Sequence, residues 1–261
     1  MGSASRQALE TAIAALDKLG STDLATGERL LAAARAIAGS TQLRALLADP
    51  GIEAQGKSRV VNQVFSGFGD IVPVLDAVVN ARWSSGNELV DGIETLGYRA
   101  VSASAPQGVS VDRELFSFGA AVGSNSELEL AVGSNLGGHG AKTVLVDRLL
   151  VNASEQTRVI VRHIVQSPRK RRFSDAIRRA ASVVADQSGL GVATIRTATA
   201  LTAAQLDRLE KALSVRYGRQ LSINQVVDTG LIGGVRISIG DDVIDGSVAT
   251  RLNDLRLQLA G

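Results

Sequence analysis

The sequence predicts a mostly α protein of the α+β class: an N-terminal six-helix bundle, a second, partial helical repeat, and a small C-terminal α+β domain. Three observations carry this expectation. Apolar residues recur at three- and four-residue spacing through the first hundred positions. The same succession of helix lengths and breaks returns 85 residues later. Beyond Leu190 the period shortens to the alternation expected of strands. The boundaries read as 1–105, 106–187 and 188–261.

Leu9, Ile13 and Leu16 set the stripe of an opening helix, which Gly20-Ser21 ends. Leu30, Leu31, Ala34 and Ile37 mark a second helix. A short third carries Leu43, Leu46 and Leu47 and stops at Asp49-Pro50-Gly51. Val60, Val61, Val64 and Phe65 follow, then Leu75, Val78 and Val79, then Leu89, Ile93 and Leu96. Each short helix offers one apolar stripe and needs neighbours to bury it, so the six form one bundle.

Shifted by 85, Leu30-Leu31 falls on Leu115-Phe116, Leu43 on Leu128, Lys57 on Lys142 and Val61 on Val146. Val78-Val79-Asn80 resembles Ile164-Val165-Gln166 with a small drift in register. A repeated order of helices and breaks reads as a duplicated unit. The opening helix has no counterpart in the second copy, and residues 103–110 supply a linker. In the last domain, Val192 to Ala198 reads as a strand. Thr202 and Gln205 form a capping-box pair ahead of a helix with Leu206, Leu209 and Leu213. Leu221 and Ile223 then alternate with polar residues, as do Val235, Ile237 and Ile239. A turn at Gly240-Asp241-Asp242 returns the chain through Val243-Ile244, and a final helix starts near Ser247.

Composition narrows the function. Aromatics make up 3% of the chain, so the core falls to Ala, Leu, Val and Ile, and the absence of cysteine removes disulfides and thiolate metal sites. A net charge of +2 is too small to point to a nucleic-acid partner. No run approaches the roughly 18 apolar residues of a membrane span. Glu10 and Asp17 interrupt the place where a signal peptide carries its apolar core. The expectation is a soluble chain without direct membrane insertion.

Two motifs imitate chemistry. Gly51 to Ser58, with Gly56-Lys57-Ser58, matches the phosphate-binding P-loop pattern, so a nucleotide-binding protein is one alternative. That loop needs a buried strand before it, however, and Leu43, Leu46 and Leu47 have helical spacing. Arg169-Lys170-Arg171-Arg172 with Arg178-Arg179 offers phosphate contacts, so a basic helical nucleic-acid-binding protein is another; no aromatic platform accompanies the run. His139 and His163 have no metal-ligand partners at the usual spacings. Catalytic, cofactor-binding and metal-binding residues are therefore expected to be none, with no cofactor.

The informative stretch is C-terminal. Gly233-Gly234 enters a strand, Gly240-Asp241 turns it, and Asp245-Gly246-Ser247 leads into a terminal helix containing Arg251 and Leu252. This succession resembles the signature of the ATP synthase delta subunit family, the bacterial relatives of the oligomycin-sensitivity-conferring protein. The helical bundle with its Leu-Leu-x-Asp-Pro loop and following lysine is similar to that family too. Two features depart from it: no Tyr follows Arg6, and an inserted helical copy lengthens the chain.

The resemblance implies a non-catalytic stator subunit that links the catalytic head to the peripheral stalk. It also implies one copy in a hetero-oligomer, peripheral to the cytoplasmic side of the bacterial plasma membrane, with no nucleic-acid partner. By resemblance the N-terminal bundle grips the N-terminal helices of alpha subunits and the C-terminal domain meets the b subunit. A groove on the opening helix would place Leu9, Ile13 and Leu16 on one wall and Val74, Val78 and Val79 on the other.

Overall fold

The computed structural model describes residues 2–20, 22–133, 139–169, 171–218, 220–228, 230–239 and 242–248. The chain forms two compact units, Met1–Val184 and Ala185–Gly261. The first is helical: α1 (Ser3–Asp17), α2 (Leu24–Gly39), α3 (Thr41–Ala48), α4 (Ala54–Val64), a 3₁₀ turn (Ser66–Ile71), α5 (Val72–Asn80) and α6 (Gly86–Ala103). Then come α7 (Val111–Gly123), α8 (Ser126–Gly133), α9 (His139–Leu149), α10 (Glu155–Gln166) and α11 (Phe173–Gln187).

Local chemistry sets the helix starts. Asp23 caps α2 by accepting from the Thr26 backbone N–H at 2.7 Å, Ser85 caps α6 through Glu88 N–H, and Ser154 caps α10 through Thr157 N–H. Pro73 falls in the first turn of α5, where its missing donor costs nothing.

The helices of the two segments keep the 85-residue offset. Helices α3 and α8 are displaced by 85 residues at both ends, and so are α4 and α9. Lys57 on α4 and Lys142 on α9 are both buried, an unusual state for lysine that recurs at the same place. Position 29 on α2 and position 114 on α7 do one job with opposite chemistry. Arg29 donates to Phe68 O and pairs with Asp70 ahead of α5. Glu114 accepts from Ser154 and Thr157 at the start of α10.

Two hydrophobic clusters fill this unit. One joins α1–α6 around Leu30, Ile37, Phe65, Leu75, Ile93 and Leu96; the other gathers Leu115, Val122, Val146, Ile160, Ile164 and Ile177. Helix α6 serves both. Leu89, Val90, Ile93, Leu96 and Ala100 face the first cluster, while Tyr98 and Val101 belong to the second. The missing opening helix of the second copy is thereby corrected. Ala8, Ala12, Ala15 and Leu19 on or just after α1 correspond, 86 residues on, to Glu94, Tyr98, Val101 and Ala105 on or just after α6. A shared helix shows no extra copy in the sequence, because one segment carries both faces.

The second unit holds β1 (Gly191–Thr197), α12 (Ala203–Tyr217), β2 (Leu221–Val227), β3 (Val235–Ile239) and β4 (Asp242–Asp245). The sheet order is β2-β1-β3-β4. β1 and β2 are parallel across the α12 crossover, and β3 lies antiparallel to both β1 and β4. The capping box at Thr202 and Gln205 is formed, and Gly218 ends α12 in the left-handed region at φ 65°. Ala193, Ile195, Leu213, Leu221, Ile237 and Ile239 make its core. The expected final helix, with Arg251, lies outside the described residues, as does the turn at Gly240-Asp241.

Candidate partner interface

Helices α1 and α5 pack side by side. From α1 the spacing of Ser5, Ala8, Ala12 and Leu16 turns one stripe inward, and α5 answers with Val74, Leu75, Val78 and Val79. Leu16, Val74, Val78 and Val79 are therefore core, and side chains without exposed surface cannot touch a partner helix. Leu9 and Ile13 are half-buried and pack on the same cluster. The six residues expected to line a groove thus sit together, but mostly beneath it.

The open groove is lined by other residues: Ala4, Gln7 and Thr11 of α1 with Ala77 and Asn80 of α5 and the following Ala81. Its volume is 640 Å³. Three alanines leave the helix backbones accessible, so a third helix can approach closely and bury its own larger side chains there. Sequence periodicity finds the face a helix turns toward its own core. Small residues on the opposite face carry no such periodic signal.

The P-loop lookalike is structural. Leu43, Leu46 and Leu47 lie on α3, and Gly56, Lys57 and Ser58 fall inside α4 instead of in a loop. The Lys57 ammonium donates to the Val79 carbonyl at 3.1 Å, closing the end of α5. Burial pushes its pKa below the ordinary value, with Asp49 acting in the opposite direction. Nearby, the Trp83 indole donates to Val78 O at 2.7 Å and covers Gly92, where an added Cβ would sit 2.2 Å from the ring.

Two arginines of the basic run, Arg169 and Arg171, are bound internally. Glu94 on α6 and His163 on α10 are each 1% exposed by side chain, with Oε1 and Nε2 3.3 Å apart. Arg169 and Arg171 reach the other Glu94 oxygen at 2.9 and 2.8 Å, while Asp91 takes Arg169 at 2.5 Å and Arg179 at 3.1 Å. Arg35 of α2 donates to His163 Nδ1 at 2.9 Å, which leaves the imidazole proton on Nε2 for Glu94.

Burial alone would raise the Glu94 pKa. The His163 hydrogen bond and the adjacent guanidiniums outweigh it and hold the carboxyl at about 2. Burial pushes His163 below its ordinary value and outweighs the pull of Glu94. Arg178 pairs with Asp175 on its own helix. Sequence reading missed this cluster; its signal was Asp91 and Glu94, two carboxylates on the face of α6 that also carries Tyr98.

In the second unit, Gly233, Gly234, Asp245, Gly246 and Ser247 converge where β3 begins and β4 ends. Gly246 N–H donates to Val235 O at 2.9 Å, and Val248 N–H to Gly233 O at 3.0 Å. Asp245 accepts from the Ser247 backbone at 3.0 Å. Gly234 has φ 84°, and a Cβ there would lie 2.4 Å from Gly246 O. Only glycine satisfies both conditions. The Gly-Gly and Asp-Gly-Ser elements are two halves of one chain crossing.

Among the described residues, no helix is long and apolar enough to cross a membrane. The family model for the ATP synthase delta (OSCP) subunit matches residues 100–259. An ATP synthase subunit delta from Leifsonia xyli subsp. xyli is 49% identical over 264 residues, covering 100% of both chains. One from Arthrobacter sp. is 34% identical, again over 100% of both. A chain in the mitochondrial ATP synthase hexamer of Toxoplasma gondii aligns over 64% of this chain and 95% of its own, at 22% identity and a TM-score of 0.41. The full-length identity and the family match agree with the C-terminal chain crossing, and the chain belongs to the ATP synthase delta (OSCP) subunit family.

Proposed function

We propose that this chain is the non-catalytic stator subunit of an F-type ATP synthase, holding the catalytic head against rotation by tying it to the peripheral stalk. In this reading the α1–α5 groove takes the N-terminal helix of an alpha subunit and the C-terminal unit meets the b subunit. One copy serves each complex, peripheral to the membrane on its cytoplasmic side. The observation that carries the reading is a contrast. Lys57, Arg169 and Arg171, groups that imitate chemistry, are tied into internal bonds, while a groove lined in part by Ala4, Ala77 and Ala81 stands open. A stator needs long-lived contacts and no reacting groups.

Separated binding assays test the division of labour. A chain ending after Gln187 should bind an alpha-subunit N-terminal peptide and lose the b subunit, while residues 188–261 should do the reverse. Circular dichroism must accompany both, because an unfolded fragment would mimic lost affinity. If both fragments are folded and neither binds its assigned partner, the two-ended tether is wrong.

A further inference from the structure

The first copy leaves a groove open between α1 and α5. The second copy repeats the two walls of that groove, with α6 in the place of α1 and α10 in the place of α5, and there the groove is filled. Helix α2 lies on both walls, in contact with α6 and with α10, which also touch each other.

The correspondence holds at the level of residues. Thr11 lines the open groove, and its counterpart 86 residues on is Gly97, where an added Cβ would sit 2.5 Å from Leu31 of α2. Ala77 and Ala81 line the open groove. At the 86-residue offset that aligns Val78-Val79-Asn80 with Ile164-Val165-Gln166, the counterparts of Ala77 and of Asn80, another lining residue, are His163 and Gln166, which border α2 beside Glu28, Leu31 and Arg35. The Arg35–His163 hydrogen bond fastens α2 to α10. Where the first copy has alanines that leave room, the second copy has a third helix seated by a leucine over a glycine and an arginine on a histidine.

We infer that α2 is a built-in occupant of the second copy's helix groove, so that a duplicated chain presents one helix-binding site instead of two, at α1–α5. The inference rests on the stator reading, which supplies the helix expected in the open groove. Its physical basis is competition within one molecule. A segment already folded onto the second groove excludes an external helix from it at any realistic concentration, because its effective concentration is set by the fold. The duplication then adds rigid bulk and a second core without adding a second grip on the head.

The test is a titration of the intact chain with a synthetic peptide of the alpha-subunit N-terminal helix, read by calorimetry and native mass spectrometry. One peptide per chain is expected. Ala77→Trp, which fills the open groove, should weaken binding roughly tenfold or more, while Gln166→Trp at the edge of α2 and α10 leaves it unchanged. Ala4→Trp fills the same groove from the other wall and replaces Ala77→Trp if that variant loses its helical circular dichroism. Two peptides per chain overturn the inference and leave the stator reading standing. So does a single peptide that survives filling of the α1–α5 groove and is lost with Gln166→Trp. No binding to the folded chain overturns the alpha-subunit assignment itself, and this inference with it.

Discussion

Lys57 shows how a residue can match a motif and still belong to the scaffold. Its ammonium satisfies a carbonyl at the end of α5, a group that the helix itself leaves unpaired. Lys57→Met keeps the apolar stem and removes the donor. We expect a loss of about 1–3 kcal/mol in urea unfolding, with no change in affinity for ATP, because none is expected in either form. ATP turnover that vanishes in this variant would contradict that.

Glu94 sits at the centre of the buried cluster, and Glu94→Gln leaves two guanidiniums facing a neutral amide. A loss on the order of 3–5 kcal/mol near pH 7 is expected. The pH dependence has a definite sign. Glu94 is held at about 2 against an ordinary 4.5, so its contribution is whole above 4.5 and is lost as pH falls from there through 2. His163 is held below its ordinary 6.5, so the unfolded chain binds that proton first and stability falls as pH drops below 6.5. Urea midpoints from pH 8 to 3 should therefore decline in two stages, and Glu94→Gln should remove the lower one. A midpoint that rises on acidification would contradict both assignments. Only the Asp91 and Glu94 pair on one face of α6 was a signal in the sequence, where Glu94 and His163 lie on helices far apart in the chain and the arginines look solvated.

At the scale of elements the sequence was far more informative, because each helix announces itself by its own stripe and breaks. The helix carrying Leu75, Val78 and Val79, the capping box at Thr202 and the strands around Ile195 and Ile237 all formed where the pattern put them. What periodicity could not resolve was a helix with two apolar faces. Leu89, Ile93 and Leu96 define one stripe of α6, and Tyr98 and Val101 belong to another, so the pattern reads as one helix of one bundle. The groove was missed for a related reason: Ala4, Ala77 and Ala81 are small residues, while the valines that drew notice were facing the core.

The glycine crossing in the second unit is the element-scale feature that sequence located and geometry explains. Gly234→Val adds side-chain atoms where even a Cβ would meet Gly246 O at 2.4 Å, at φ 84°. A loss of about 2–4 kcal/mol is expected. Hydrogen exchange should show it as lost protection in β3 and β4 while α2 and α6 keep theirs. Uniform loss across both units would contradict an effect confined to this crossing.

Across the whole molecule, the repeat read from the sequence rests on a lysine and a set of breaks displaced by a constant interval. Lys57 and Lys142 are buried alike on α4 and α9, helices displaced by the same 85 residues. What the sequence left open was how two copies could coexist without two sets of contacts. A shared α6 and a seated α2 supply the physical reason. The central claim is that the chain couples head and stalk and does no chemistry.

Reconstitution tests that claim most directly: catalytic heads stripped of this subunit are mixed with vesicles carrying the stalk and proton channel, with and without the purified chain. We expect the chain to restore sedimentation of the heads with the vesicles and ATP synthesis driven by a proton gradient, while the hydrolysis rate of free heads stays unchanged. Heads that remain unbound in the presence of the folded chain, or ATP hydrolysis by the chain alone, would contradict it.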